Sequence, residues 1–219
     1  MAVRPVFCAT NSAPFCRVSD VEFEYASGFA VSQKQKCISN LHKSFLALRP
    51  QRSILEISSK SLLPLGVSLS AFNLPVAAEG LDCSVECAFQ GSKVFAKGGP
   101  YTDLYEKSSR EAKKDVRLKE SGNLTKFCFL GEDFPLMPKD LFYNWLYIKS
   151  LHANPELSAQ ILEFDSFTDI EFNPKKSLNC QAKAAAIYIG LHKNGLLEEA
   201  LKSPEDFKRI VYPPMKLHL

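Results

Sequence analysis

Ser84-Val-Glu86-Cys-Ala-Phe89-Gln90-Gly-Ser-Lys93-Val-Phe95 is the stretch on which the reading of this chain turns. Ser84 is a good N-cap residue, and Gly98-Gly-Pro100 lies behind the segment, so the pattern predicts a helix from Ser84 to about Ala96. Glu86, Gln90 and Lys93 are spaced i, i+4, i+7. At 3.6 residues per turn these positions stack on one side of a helix, so a carboxylate, an amide and an amine project in one direction. Phe89 falls near the same edge, with Val85 and Ala88 on the packing side. The plain alternative is a solvated stripe held by side-chain pairing along the helix.

Upstream, Val21 to Tyr25 alternates apolar and acidic residues, which suits a half-exposed strand. Ser32 can cap a helix whose buried stripe is Ile38, Leu41, Phe45 and Leu48, stopped by Pro50. Ile54 to Ile57 is predicted as a short strand, and Gly66 to Leu74 as another. Downstream, Asp103 to Lys119 is a charged helical stretch, and Lys126 to Leu130 a strand. Pro138 suits a first helical position, before a buried face of Leu141, Phe142, Trp145, Leu146 and Leu151. Pro155 starts a further helix through Leu162, and Asn179 to Asn194 forms an alanine-rich helix ended by Gly195. Short strands mixed with longer helices, without βαβ alternation, predict an α+β fold, mostly helical with a small sheet. The chain reads as one domain: residues 1–60 an N-terminal extension packed on the core, residues 61–219 the core itself.

The bulk numbers exclude more than they assign. The 219 residues are 46% hydrophobic and 23% charged, ordinary for a soluble globular protein. The formal net charge of +3 permits a nucleic-acid partner without arguing for one. Seven cysteines (Cys8, Cys16, Cys37, Cys83, Cys87, Cys128 and Cys180) have no C-x-x-C spacing, which points to reduced thiols in a cytoplasmic protein and no metal site. His42, His152, His192 and His218 are scattered and read as surface or packing residues. No secretory signal is expected at Met1 to Val18. The most apolar stretch, Leu62 to Ala78, is too broken by Pro and polar residues to span a membrane.

The opening segment also resembles a known pattern. V-E-C-A-F-Q-G-S-K-V-F is similar to the E-H-x-x-Q-A-x-K-F helix of the NADAR superfamily (the YbiA-like proteins), with Glu86, Gln90 and Lys93 on its Glu, Gln and Lys. Cys87 replaces its His and Gly91 its Ala. Leu69-Ser-Ala-Phe72 resembles the family's L-S-N-F, with Ala71 for the Asn and Asn73 two positions on. Ser109 to Lys113, Phe142 to Leu162 and Glu171 also resemble family segments. The D-x-W-G ending of the wider superfamily is absent. The chain is closer to one branch, the NADAR antitoxins paired with DarT-type DNA ADP-ribosyltransferase toxins. Segments such as Gly28 to Lys36, Ile54 to Lys60, Gly99 to Asp103, Phe167 to Asn173 and Asn179 to Ala182 carry that likeness over nearly the whole length.

The resemblance implies a YbiA-like domain and a glycohydrolase that removes ADP-ribose from guanine bases of DNA, reversing a cognate toxin. Its substrate would be ADP-ribosylated DNA, its product ADP-ribose, and no cofactor is implied. Glu86 and Lys93 are then the catalytic candidates: Glu86 as base or stabiliser of an oxocarbenium-like centre, Lys93 as general acid or covalent amine. Phe72 is a stacking candidate, and Asn73 and Gln90 can hydrogen-bond ribose or base edges. Lys60 and Arg110 are phosphate candidates. Asp169, Glu171, Asn173 and Asn179 are expected to fill the place of the missing ending. Lys34, Lys36, Lys43, Arg49 and Arg52 form either a nucleic-acid contact or an exposed helix face. Two other readings stand beside the enzyme: a module that binds ADP-ribose or the toxin without catalysis, and a hydrolase of a small N-glycoside.

Overall fold

The computed structural model describes residues 1–76, 78, 80–174, 177 and 179–214. Strand β1 (Ala2–Ala9) forms an antiparallel hairpin with β2 (Cys16–Phe23). Helix α1 (Val31–Leu48) follows, then β3 (Ile54–Glu56) and the short α2 (Pro64–Ser68). Helix α3 (Val85–Gly91) runs directly into β4 (Lys93–Phe95). A 3-10 turn (Thr102–Glu106), α4 (Ser109–Lys114) and α5 (Arg117–Glu120) lead to the strands β5 (Leu124–Phe129) and β6 (Glu132–Phe134). The rest is α6 (Leu141–His152), α7 (Pro155–Gln160), β7 (Ser166–Thr168), α8 (Gln181–Lys193), α9 (Leu197–Ala200) and α10 (Pro204–Val211). The fold is α+β, as the mix of short strands and longer helices predicts.

Among the described residues two sheets form, one in the order β2-β1-β7-β3 and one in the order β4-β5-β6. In the first, β7 pairs antiparallel with β1 and parallel with β3, so residues before and after position 60 share it. Helix α1 covers one face through Cys37, Ile38, Leu41 and Phe45, which pack with Val6, Val21 and Phe23. The alanine-rich α8 lies on the other side, and its small side chains let it approach β1 and β7 closely. Phe127, Phe129 and Phe134 of the second sheet pack against Phe142 and Trp145 of α6, with ring centroids 4.7 to 6.4 Å apart. Such offset and edge contacts suit the quadrupoles of aromatic rings. Helix α3 packs against α6 and its aromatic cluster in the main core, with α4 on another side.

Several expectations are corrected. The helix predicted from Ser84 to about Ala96 stops at Gly91, although Ser84 caps it as expected, accepting from the Cys87 amide at 3.2 Å. Gly91 must lie against Tyr105, since a Cβ there would come within 2.4 Å of the ring. The Ser92 carbonyl then accepts from Cys128 of β5 at 2.7 Å, and Lys93 begins a strand rather than a third helical turn. Gly66 to Leu74 is not a strand. Pro64 opens α2, and the Asn73 and Leu74 amides both donate to the Ser70 carbonyl at 2.8 Å, so the buried Leu69, Ala71 and Leu74 sit on turns.

Asp103 to Lys119 breaks into three pieces, because Ser108 and Glu111 build a capping box that restarts the helix. Pro138 precedes α6 instead of opening it; the Leu141 amide donates to its carbonyl at 3.0 Å. Ser32 does not cap α1, which begins at Val31, and Leu48 is 64% exposed at its frayed end. Of the histidines, His42 is drawn in against Thr168, His152 meets Glu198, and His218 lies outside the described residues.

Candidate active site

A cavity of about 690 Å³ opens where α3, β4, α4, α6 and the segment after β7 converge. Its floor comes from α3 and β4. Helix α3 has no solvent face: every residue from Val85 to Gly91 is buried, with Glu86 5% and Gln90 7% exposed. That excludes a solvated stripe. A buried polar row needs partners, and each member finds them within the row. The Lys93 amine donates to Gln90 Oε1 at 2.7 Å, and Gln90 Nε2 donates to Glu86 Oε1 at 2.9 Å. The Glu86 backbone is fixed independently, since its amide donates to the Ala71 carbonyl at 2.8 Å. Because β4 begins at Lys93, the amine reaches back over the last helical turn and lies 4.8 Å from the centre of the Phe89 ring.

Burial lowers the Lys93 amine from 10.5 to about 8; Glu86 pulls it back upward and Lys113 pushes it further down. Lys93 remains mostly charged at pH 7 but loses its proton far more readily than a free lysine, so the same amine can act as nucleophile or as acid.

The opposite wall is the turn beyond β7. Asp169 Oδ1 accepts from the Glu171 and Phe172 amides at 3.0 and 3.1 Å. Its Oδ2 accepts from Gln181 at 3.0 Å. Burial pushes this carboxyl up to about 8, helped by the neighbouring Glu56 and opposed by those donors. Glu56 lies behind it, fully buried, and accepts from the Ile170 amide at 2.8 Å; burial raises its carboxyl as well. Glu171 accepts from Ser59 at 3.2 Å, and Lys60 donates to the same hydroxyl at 2.8 Å, which ties this wall to the rim. Asn179 also faces the cavity, and its Oδ1 is buried with no hydrogen-bond partner among the described residues.

The fold brings together most residues chosen from sequence. Glu86, Gln90, Lys93, Phe72, Lys60, Arg110, Asp169, Glu171, Asn173 and Asn179 all line this one cavity. Asn73 does not. It is exposed on the far side of Phe72, beside Cys83 and Ser84, and its amide donates to the Val67 carbonyl at 2.8 Å. The half-buried Phe72 lines both depressions. Of the basic cluster, Arg52 pairs with Asp165 at 2.9 Å.

Among the other residues that line the cavity, Lys113, Gln181 and Tyr143 bear on its chemistry. Lys113 lies one turn beyond Arg110 on α4; that i, i+3 spacing was a usable signal. Gln181 bridges three segments, donating to the Ile57 carbonyl and Asp169 and accepting from the Ala71 amide at 2.7 Å. Tyr143 contributes from α6, edge-on to Phe89 at 5.1 Å. Nothing local in the sequence marks those two.

Among the described residues, no helix is long and apolar enough to cross a membrane. A search among curated proteins returned no match. The family model described as DarT1-associated NADAR antitoxin matches residues 2–217, nearly the full length, with the Glu86–Gln90–Lys93 row and the wall from Asp169 to Gln181 inside the match. The chain therefore belongs to the family of DarT1-associated NADAR antitoxins.

Proposed function

We propose that this protein is an ADP-ribosyl glycohydrolase that removes ADP-ribose from guanine bases of DNA, and so acts as antitoxin to a DNA ADP-ribosyltransferase. What carries the reading is the path from the half-buried Lys93 amine through Gln90 to the buried Glu86 carboxylate on the floor of a large cavity. Breaking an N-glycosidic bond builds positive charge on the sugar and negative charge on the departing base. A carboxylate answers the first and an amine of lowered basicity answers the second. Arg110 and Lys60 supply cations suited to a diphosphate, and Phe72 offers a ring face for a purine. Free ADP-ribose is the product, and the toxin is the functional partner.

Two routes use the same pair. In the first, neutral Lys93 attacks C1″ of the ribose. The Nζ–C1″ bond forms as the bond from C1″ to the guanine nitrogen breaks, and the base leaves with the electron pair and takes a proton. The adduct opens its ribose ring to an imine between Nζ and C1″, and water hydrolyses that imine, restoring the amine and releasing ADP-ribose. In the second, the Lys93 ammonium protonates the departing nitrogen while Glu86 faces the cationic carbon and activates water. Borohydride trapping during turnover, followed by mass spectrometry, separates them: an adduct on Lys93 marks the first route and its absence the second.

The function itself is tested by incubating the protein with guanine-ADP-ribosylated DNA. Loss of the modification with release of free ADP-ribose is expected. Glu86→Gln, which keeps the shape and the contact with Gln90, should abolish release while the protein stays folded. Wild-type protein that leaves the modification intact, or a Glu86→Gln variant that turns over normally, refutes the assignment.

A further inference from the structure

We propose that Lys113 is a second functional lysine of this site, a positioning residue that engages the Glu86 carboxylate and thereby sets how Lys93 works. Its role as stated here rests on the glycohydrolase reading. The Lys113 amine stands 3.5 Å from Glu86 Oε1 and 4.9 Å from the centre of the Phe72 ring. It comes from α4, an element that contributes nothing to the helix-and-strand floor. Two donors therefore converge on one carboxylate oxygen: the Gln90 amide from below and the Lys113 amine from the side. Lys93 donates to Gln90, and among the described residues it forms no ion pair with Glu86.

This arrangement has a chemical consequence. A lysine locked directly to a carboxylate stays charged and is useless as a nucleophile. Here an amide separates Lys93 from Glu86, and a second ammonium satisfies the carboxylate. Lys113 is also a like charge to Lys93, and cationic neighbours favour a neutral amine. The geometry thus gives Glu86 a cationic partner other than Lys93 and leaves Lys93 free to gain or lose a proton. The other charged or titratable groups sharing the cavity with Lys93 are Arg110 on α4, Tyr143 on α6, Asp169 and Glu171 beyond β7, and Lys60 at the rim. None of these forms an ion pair with Glu86 among the described residues, whereas Lys113 does. The Lys113 side chain is 56% exposed, so replacing it leaves no buried gap.

The direction of the effect does not depend on the route. Removing the Lys113 charge takes a repelling cation from Lys93 and leaves Glu86 with one fewer competing cation, and both changes hold the Lys93 proton more tightly. If Lys93 acts as nucleophile, activity rises with pH through its titration; if it acts as acid, activity falls. In either case the limb moves to higher pH. We expect Lys113→Gln to shift that limb of the kcat/KM profile upward by ~0.5 pH unit or more, and Lys113→Arg to restore it.

The same shift should appear without substrate, in an NMR titration of the lysine side-chain signals, with the Lys93 resonance assigned by its absence in Lys93→Arg. An unmoved Lys93 resonance in Lys113→Gln overturns the proposal, as does a loss of activity that is uniform across pH. A resonance that moves in a protein that cleaves no ADP-ribosylguanine supports the coupling while refuting the glycohydrolase reading.

Discussion

Lys93→Met puts the energetics of the site to a direct test. The amine is lowered from 10.5 to about 8, chiefly by burial. Each tenfold loss of proton affinity corresponds to about 1.4 kcal/mol, so the charged form costs the folded protein on the order of 3 kcal/mol at pH 7. Methionine keeps most of the apolar stem and removes the charge. It also leaves Gln90 Oε1 without its 2.7 Å donor, a loss of about 1 kcal/mol. The net expectation is a gain of about 2 kcal/mol at pH 7. For a chain of this size that is about 4–8 °C in Tm. The sign with pH follows from linkage. The folded-state value lies below the unfolded one, so the penalty is complete below about 8 and fades as pH rises from there toward 10.5. The gain should therefore shrink by about 1.4 kcal/mol between pH 7 and pH 9. Urea unfolding of both proteins at the two pH values measures this. A variant no more stable than wild type at pH 7, or a gain that grows with pH, refutes the claim that Lys93 is held in the site against its own solvation. A more stable but inactive variant is the usual mark of a residue kept for function.

Other expectations concern the walls of the cavity. Phe72→Ala should weaken ADP-ribosylguanine binding by about 1–3 kcal/mol, roughly 5- to 150-fold, if the ring stacks on a base. Calorimetry with the Glu86→Gln background measures this, and binding unchanged by the substitution would show the ring to be packing only. Asp169→Asn should become progressively more stable relative to wild type as pH rises from 5 to 8. The wild-type carboxyl is pushed up to about 8, so the stability tied to its protonated form is present below about 4 and lost as pH rises through 8. Denaturant unfolding across that window should show a relative change of up to about 3 kcal/mol, and a flat difference would mean that the three donors on Asp169 keep it ionised.

The legibility of the fold follows the range of the interactions. The stripe Ile38–Leu41–Phe45, the strand at Ile54 and the alanine-rich α8 are visible because a repeating pattern over one element marks a buried face. Strands β1 and β7 carry no prediction. β7 is three residues long, and it is a strand because Phe7 and Leu55, both more than a hundred residues earlier in the chain, pair with Phe167 on its two sides. Gly66 to Leu74 reads as a strand because apolar residues on consecutive turns imitate its alternation. The short α9 and α10 beyond Gly195 carry no prediction either; of the two only α10 has a side-chain cap, Ser203.

By itself the sequence determined the chemistry of the floor. Glu86 and Gln90 are four residues apart, helix geometry brings them together, and the 2.9 Å bond between them depends on nothing distant. Lys93 joins them for another reason. The chain leaves the helix where Tyr105 demands a glycine and Cys128 recruits the Ser92 carbonyl, and only then does the amine turn back onto Gln90. Tertiary structure alone decided that Glu86 and Gln90 are buried and Lys93 half-buried rather than solvated, that Lys113 reaches Glu86 from another helix, and that Gln181 ties Ala71, Ile57 and Asp169 into one wall. It also set Asn73 outside the cavity that Phe72 borders. Those outcomes depend on contacts between segments tens of residues apart, and desolvation, which converts a pairing stripe into a reactive one, exists only once those segments have closed over it.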